Sequence, residues 1–278
     1  MTLNVNTNSA AMAALAALNQ TTDTLATVNA QDSSGLKVAS SKDNPSVYSV
    51  AQSQRSDIQA LSAVTDGLNR AQSISDVAIS AGQTVSNLLN SLKSEALSAT
   101  DTSQNTASLA ALNANFQSTL QQIQQTVSAA TFGGSNLLDG SLTSGIGFMA
   151  NADATSTITL TGLNLTLGGP TITVPPGSNV STTTAASSML TLVESSVANV
   201  NSALASLGAQ SSQVSAHASF VTTLSDALTV GVGGLVDADV AAESARLTAL
   251  QVQQQLGAQS LSIANQTPSI ILSLFQGH

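Results

Sequence analysis

The sequence predicts a mainly α-helical, elongated fold: a rod of long antiparallel coiled-coil helices, paired N- and C-terminal helices, and a small β-hairpin-rich insert. Three observations predict it. Apolar residues recur at alternating spacings of three and four through most of the 278-residue chain, the period of an amphipathic helix. The pattern lapses in one Gly- and Thr-rich stretch, residues 132–184. Charged residues are only 8% of the chain against 42% apolar, where soluble domains carry about 25% charge. Surfaces so poor in charge suit a chain whose copies meet one another.

The elements follow in order. Ala11, Ala14, Leu18, Thr21, Leu25 and Val28 form the first helical series. A second runs from Val47 through Leu61, Leu68, Val85 and Leu92 to Ala96, long enough for about 75 Å of helix. A third is Leu109, Leu112, Phe116, Leu120, Ile123, Val127 and Ala130. Between 132 and 184, Gly133-Gly134, Gly168-Gly169-Pro170 and Pro175-Pro176-Gly177 break the chain. "STITLTGLNLTLGG" and "PTITV" alternate apolar with polar residues there, which reads as short strands and hairpins. Helical period resumes at Leu190 and runs through Val200, Leu207, Val214 and Val221 to Leu228. "GVGGL" at 231–235 is expected to end it, and a last helical series runs from Ala238 to Ile270. Each terminal helix has an apolar stripe and few charges, so neither is stable alone. They are expected to pair with each other, and the long inner helices likewise.

Composition also narrows function. A net charge of −9 with six Lys and Arg argues against nucleic acid, which needs clustered cations. There is no Cys, so thiolate chemistry and Cys-ligated metal are excluded. The first cation is Lys37, and the early apolar run Ala10–Leu18 is nine residues. Neither a basic signal-peptide n-region nor a membrane span is therefore expected. No catalytic motif stands out, and no enzyme activity, cofactor or metal is expected. His217 has no acidic residue within four positions and reads as a helix-surface or subunit-contact residue. Asp237, Asp239 and Glu243 stand where a helix begins, where carboxylates are favourable.

Four stretches carry a family likeness: "VNTN" at 5–8, "SSGLKVASSKDNPSVYSVA" at 33–51, "TFGGSNLLDGS" at 131–141 and "SLSIANQTPSIILSLF" at 260–275. In this order, at both ends of a chain with a variable middle, they resemble bacterial flagellin. The short insert and "GVGGLVDADVAAESA" at 231–245 are closest in character to flagellins of alphaproteobacteria.

The resemblance implies a subunit that polymerises into the extracellular flagellar filament for swimming motility, after export unfolded through the flagellar type III apparatus. A hook–filament junction protein, or another helical secreted polymer subunit, is the alternative. The implied partners are copies of itself and other flagellins, an export chaperone, and the filament cap and junction proteins. It also implies a division of the chain: residues 1–45 and 233–278 form the inner core domain, 46–131 and 185–232 the rod, and 132–184 the outward-facing insert. Subunit contacts are expected from Lys37, Lys42 and Asp43 in the connecting loop. The terminal stripes add Leu18, Leu25, Val28, Leu256, Ile263, Ile270 and Leu274. Pro45 is expected to start the long helix. Gln31-Asp32 departs from the Arg-Leu pair many flagellins have there. O-glycosylation of the insert would fall first on Ser141, Thr143, Ser144, Thr155, Ser156 and Thr157.

Overall fold

The computed structural model describes residues 7–276, with side chains described through residue 266. Five helices and four short strands occur in the order α1 (Ser9–Ser34), α2 (Pro45–Ala99), α3 (Thr106–Ala129), β1 (Thr131–Phe132), β2 (Ser135–Asn136), β3 (Ile146–Met149), β4 (Thr157–Leu160), α4 (Thr183–Val236) and α5 (Val240–Gln276). The fold is mainly α. It divides into two compact units: one of the chain ends, up to Ser56 and from Leu228, and one of Asp57–Ala227.

In the first unit α1 and α5 pair antiparallel. Asn8 caps α1, its Oδ1 accepting from Ala11 N at 3.0 Å while its amide donates to Ala264 O at 2.8 Å. Toward the other end of the pair, Ser244 Oγ donates to Asp32 Oδ1 at 2.9 Å. Between them Gly257 lets α5 approach α1 closely, since a Cβ there would lie 3.2 Å from Leu18 Cδ1. α1 ends at Gly35, whose φ of 70° is left-handed and whose N–H caps Gln31 O; glycine adopts this conformation without a Cβ penalty. Pro45 then opens α2, its fixed φ and missing N–H suiting the first helical position. Asn44 caps it by accepting from Val47 N at 3.1 Å.

The second unit holds an antiparallel α2–α4 pair. Its register is set by Gln72 Nε2 on Ser211 Oγ (2.8 Å), Ser86 Oγ on Asn201 Oδ1 (3.0 Å), and a Lys93–Glu194 ion pair at 3.0 Å. The apolar series anticipated for α2 is buried from Leu61 through Leu68, Val85, Leu89 and Leu92 to Ala96. On α4 the buried apolar row is Val193, Val200, Leu207, Val214 and Val221, a strict seven-residue repeat that keeps one seam facing its partner. Gly82 on α2 sits under Leu204 of α4, and a Cβ there would collide with Leu204 Cδ2. α3 folds back along α2 and buries Phe116, Leu120, Ile123 and Val127.

Two expectations are corrected. The Gly-rich run at 231–235 does not end the helix, because α4 continues to Val236. A helical Gly costs about 1 kcal/mol relative to Ala, and burial of Val232 and Val236 four residues apart opposes that cost. Termination comes at Val236 O, which accepts from Lys37 N (2.7 Å) and Val38 N (3.2 Å), while Ala238 N donates to Gly35 O (2.9 Å). The α1–α2 and α4–α5 connectors are thereby tied by backbone hydrogen bonds.

"PTITV" forms no strand, and only a bridge between Leu167 and Ile172 is present. Pro170 and Pro175 have no N–H to donate, and Thr173 N is taken by Ser196 Oγ. The strands that do form are β1–β2, joined through Gly133-Gly134 (φ 57° and 82°), and β3–β4. Positive φ at both turn residues is what a type I′ two-residue hairpin demands.

Candidate subunit-contact site

The segment after α1 concentrates charge in a charge-poor chain, and its local geometry explains part of that. Asp43 Oδ2 accepts from Ser40 N (2.8 Å), Ala39 N (3.1 Å) and Ser40 Oγ (3.1 Å). The Ser40 backbone N–H is the main cause holding this carboxyl below the usual Asp range. Asp43 thus staples its own loop. Lys37 and Lys42 are exposed, and among the described residues neither has an ion-pair partner. All three are expected from the sequence as contact residues; the structure gives Asp43 hydrogen bonds within its own loop and leaves Lys37 and Lys42 exposed.

Gln31 and Asp32 also acquire definite partners. Gln31 Nε2 donates to Lys37 O at 3.2 Å, holding the loop on the last turn of α1. Asp32 takes the Ser244 hydroxyl of α5 described above. Their residue types alone give no sign of these bonds, since Gln31 reaches a carbonyl of the loop six residues on and Asp32 a hydroxyl 212 positions away.

The terminal stripes divide into two sets. Val28 is 1% exposed and Leu18 and Leu25 are half-buried, so they serve the α1–α5 pairing. Leu256 and Ile263 are 57% and 62% exposed. Met12, Leu15 and Val252 are exposed as well; Met12 and Leu15 lie off the first periodic series, while Val252 lies on the last one without being singled out as a contact. Ile270 and Leu274 lie outside the residues whose side chains are described. One partner helix covers only one face of each terminal helix, leaving large apolar groups in water.

Elsewhere the insert buries Leu137, Leu138, Leu160, Leu165, Ile172 and Val174. The six hydroxyl residues Ser141, Thr143, Ser144, Thr155, Ser156 and Thr157 are exposed. His217 is no free surface group, for its Nε2 lies 2.7 Å from Ala150 O in the insert. A carbonyl only accepts, so Nε2 carries the proton. Asp239 caps α5 through Ala241 N and Ala242 N, both at 3.1 Å.

Glu95 on α2 receives the Thr119 hydroxyl on Oε1 at 3.2 Å, while Oε2 is buried without a hydrogen-bond partner among the described residues. Burial raises its pKa above the usual Glu value, opposed by the Thr119 hydrogen bond. The folded state therefore holds this proton more tightly than the unfolded chain, so this group's contribution falls as pH rises through the window just above 4.5. Glu95→Gln is expected to raise the melting temperature at pH 7, with the gap to the parent chain closing as pH falls toward the ordinary Glu value of 4.5. Thermal melts of both proteins across that range check it; a lower melting temperature for the variant at pH 7 would contradict it.

Comparison with known proteins bears on what these surfaces serve. Residues 5–143 match the bacterial flagellin N-terminal helical region, and residues 190–275 the bacterial flagellin C-terminal helical region. The chain is 45% identical to flagellin FljM of Caulobacter vibrioides, across 99% of this chain and 100% of that protein. It is 37% identical to a flagellin of Brucella melitensis, across 98% of each. A crystal structure of Bacillus cereus flagellin overlaps 56% of this chain and 88% of that one, with a TM-score of 0.49 at 18% identity. Full-length similarity to flagellins favours the filament subunit over a hook–filament junction protein. The chain belongs to the bacterial flagellin family and is a structural subunit of the flagellar filament.

Proposed function

We propose that α1 and α5 form the inner layer of the filament and that their burial is completed by neighbouring copies. The observation that carries this is the exposure of Met12, Leu15, Val252 and Leu256 on helices already paired with each other. Covering such side chains contributes roughly 25 cal/mol per Å², against about 1–2 kcal/mol per residue to order the backbone. In the free subunit the α1–α5 pair is accordingly marginal, and its folding is coupled to assembly. That coupling restrains premature polymerisation and suits export of an unfolded chain through the flagellar type III apparatus. It leaves the C-terminal segment available to an export chaperone before growth at the filament tip, with cap and junction proteins at the two ends. The role is structural rather than catalytic. Filament growth after removal of Ser260–His278 tests this reading.

In the same proposal residues 1–45 and 233–278 make the inner domain, 46–131 and 185–232 the rod, and 132–184 the outward-facing insert. Lys37 and Lys42 contact a neighbouring copy from the connecting loop. Two uncompensated cations between layers that otherwise pack through Ala, Val and Leu would fix subunit register. Ser141, Thr143, Ser144, Thr155, Ser156 and Thr157 are the positions where outward-facing hydroxyls would accept O-linked sugars. The intact mass of natively produced filaments is expected to exceed that of the bare chain by one or more sugar residues; the bare mass would refute the modification.

A further inference from the structure

Residues 131–182 have few strand partners of their own. Apart from β1–β2 and β3–β4, their backbone polar groups need satisfaction elsewhere. Many bond within the segment, as Gly140 N to Leu163 O, Leu165 N to Leu138 O and Gly168 N to Val174 O do, and four others are met by polar side chains of α4. Ser196 Oγ accepts from Thr173 N at 3.0 Å, Asn199 Nδ2 donates to Thr171 O at 3.3 Å, Gln210 Oε1 accepts from Thr161 N at 2.7 Å, and His217 Nε2 donates to Ala150 O at 2.7 Å. α3 adds Asn113 Oδ1, which accepts from Val180 N at 2.9 Å. At roughly 100° per residue, positions 196, 199, 210 and 217 fall within about 60° of arc on α4. They form one polar row beside the buried row of Val193, Val200, Leu207, Val214 and Val221.

Every one of these five bonds ends on a backbone atom of the insert. We propose that this row is a dock that recognises the insert's main chain and not its side chains. Placement of the insert is then independent of what its exposed side chains are. Thr173 and Asn136 are exceptions: the Thr173 hydroxyl also donates to Leu192 O at 3.3 Å and lies 3.3 Å from Ser196 Oγ, and Asn136 Nδ2 donates to Val127 O of α3 at 2.7 Å. Elsewhere the outward chemistry of the insert can change while α4 holds the same path. The polar side chains that hold the insert's exposed main chain are those of α4 and α3, outside it in sequence, beside the insert's own buried apolar residues.

The Thr161–Gln210 bond separates this proposal from simple packing. Thr161 is exposed, and its side chain is no part of the bond. Amide hydrogen exchange of residue 161 in the full-length soluble subunit is the measurement. Gln210→Ala is expected to accelerate it by about fivefold to tenfold, the effect of losing one net hydrogen bond. Gln210→Glu keeps an acceptor oxygen and is expected to restore protection to within about twofold. Thr161→Val changes the side chain and keeps the N–H, and is expected to leave exchange slow once corrected for the intrinsic rate of valine. The dock is refuted if Gln210→Ala leaves the rate unchanged, or if Thr161→Val accelerates it as much as Gln210→Ala does. Filament formation plays no part in the readout, so the test stands apart from the assembly proposal.

Discussion

Removing Ser260–His278 is expected to abolish filament growth while the Asp57–Ala227 unit stays folded. The deleted segment includes Ala264, whose carbonyl takes the Asn8 amide, so the first half of α1 loses the end of its partner. A helix of some two dozen residues with a low-charge apolar stripe is marginal in water without packing. The same deletion takes away Ile263, part of the surface proposed to be covered by neighbouring copies. None of the second unit's core residues, from Leu61 to Val221, is touched. Far-UV circular dichroism is expected to fall by about the helix lost, with the main thermal transition within about 2 °C of the parent, since no buried side chain of that unit changes. Seeded growth followed by sedimentation gives the second readout. Filaments of normal length and stability from the truncated chain would show that the ends do not drive assembly.

Phe116→Ala is expected to have the opposite profile. Phe116 has 0% exposure and is the largest side chain buried by α3. Its removal leaves a cavity that the neighbouring helices fill only in part, a change that costs about 3–5 kcal/mol in other cores. For a unit of this size each kcal/mol lowers the melting temperature by roughly 2–4 °C, so a fall of about 6–20 °C is expected. The exposed apolar residues of α1 and α5 are unchanged, so growth below the new melting temperature is expected to persist. Calorimetry of the soluble subunit checks the first part. A loss below about 1 kcal/mol would mean that α3 contributes little to the core.

These two outcomes rest on features legible to different degrees in the sequence. The helices were readable because their apolar spacing extends over many turns; the Leu61–Ala96 series is buried nearly as written. Each residue there is placed by neighbours three, four and seven positions away. The glycines at 231, 233 and 234 misled, because a local propensity of about 1 kcal/mol each was set against packing of Val232 and Val236 that no local window contains. "PTITV" misled for a related reason: its alternation is real, but its N–H at Thr173 goes to a side chain 23 residues away. His217 reads as a helix-surface or subunit-contact residue in the sequence because its partner, Ala150, is 67 residues distant. Of the contact loop, the sequence showed the concentration of charge. It did not show that Asp43 turns inward on Ala39 and Ser40 while Lys37 and Lys42 face out.

The most direct test of coupled burial is a filament reconstruction at side-chain resolution. Met12, Leu15, Val252 and Leu256 are expected to lie between copies, each under about one tenth exposed, as is usual for large apolar side chains in a core. Lys37 and Lys42 are expected within about 4 Å of carboxylates of a neighbouring subunit, the separation of an ion pair. A filament whose subunits meet mainly through residues 57–227, with those four apolar side chains still facing solvent, would contradict the account.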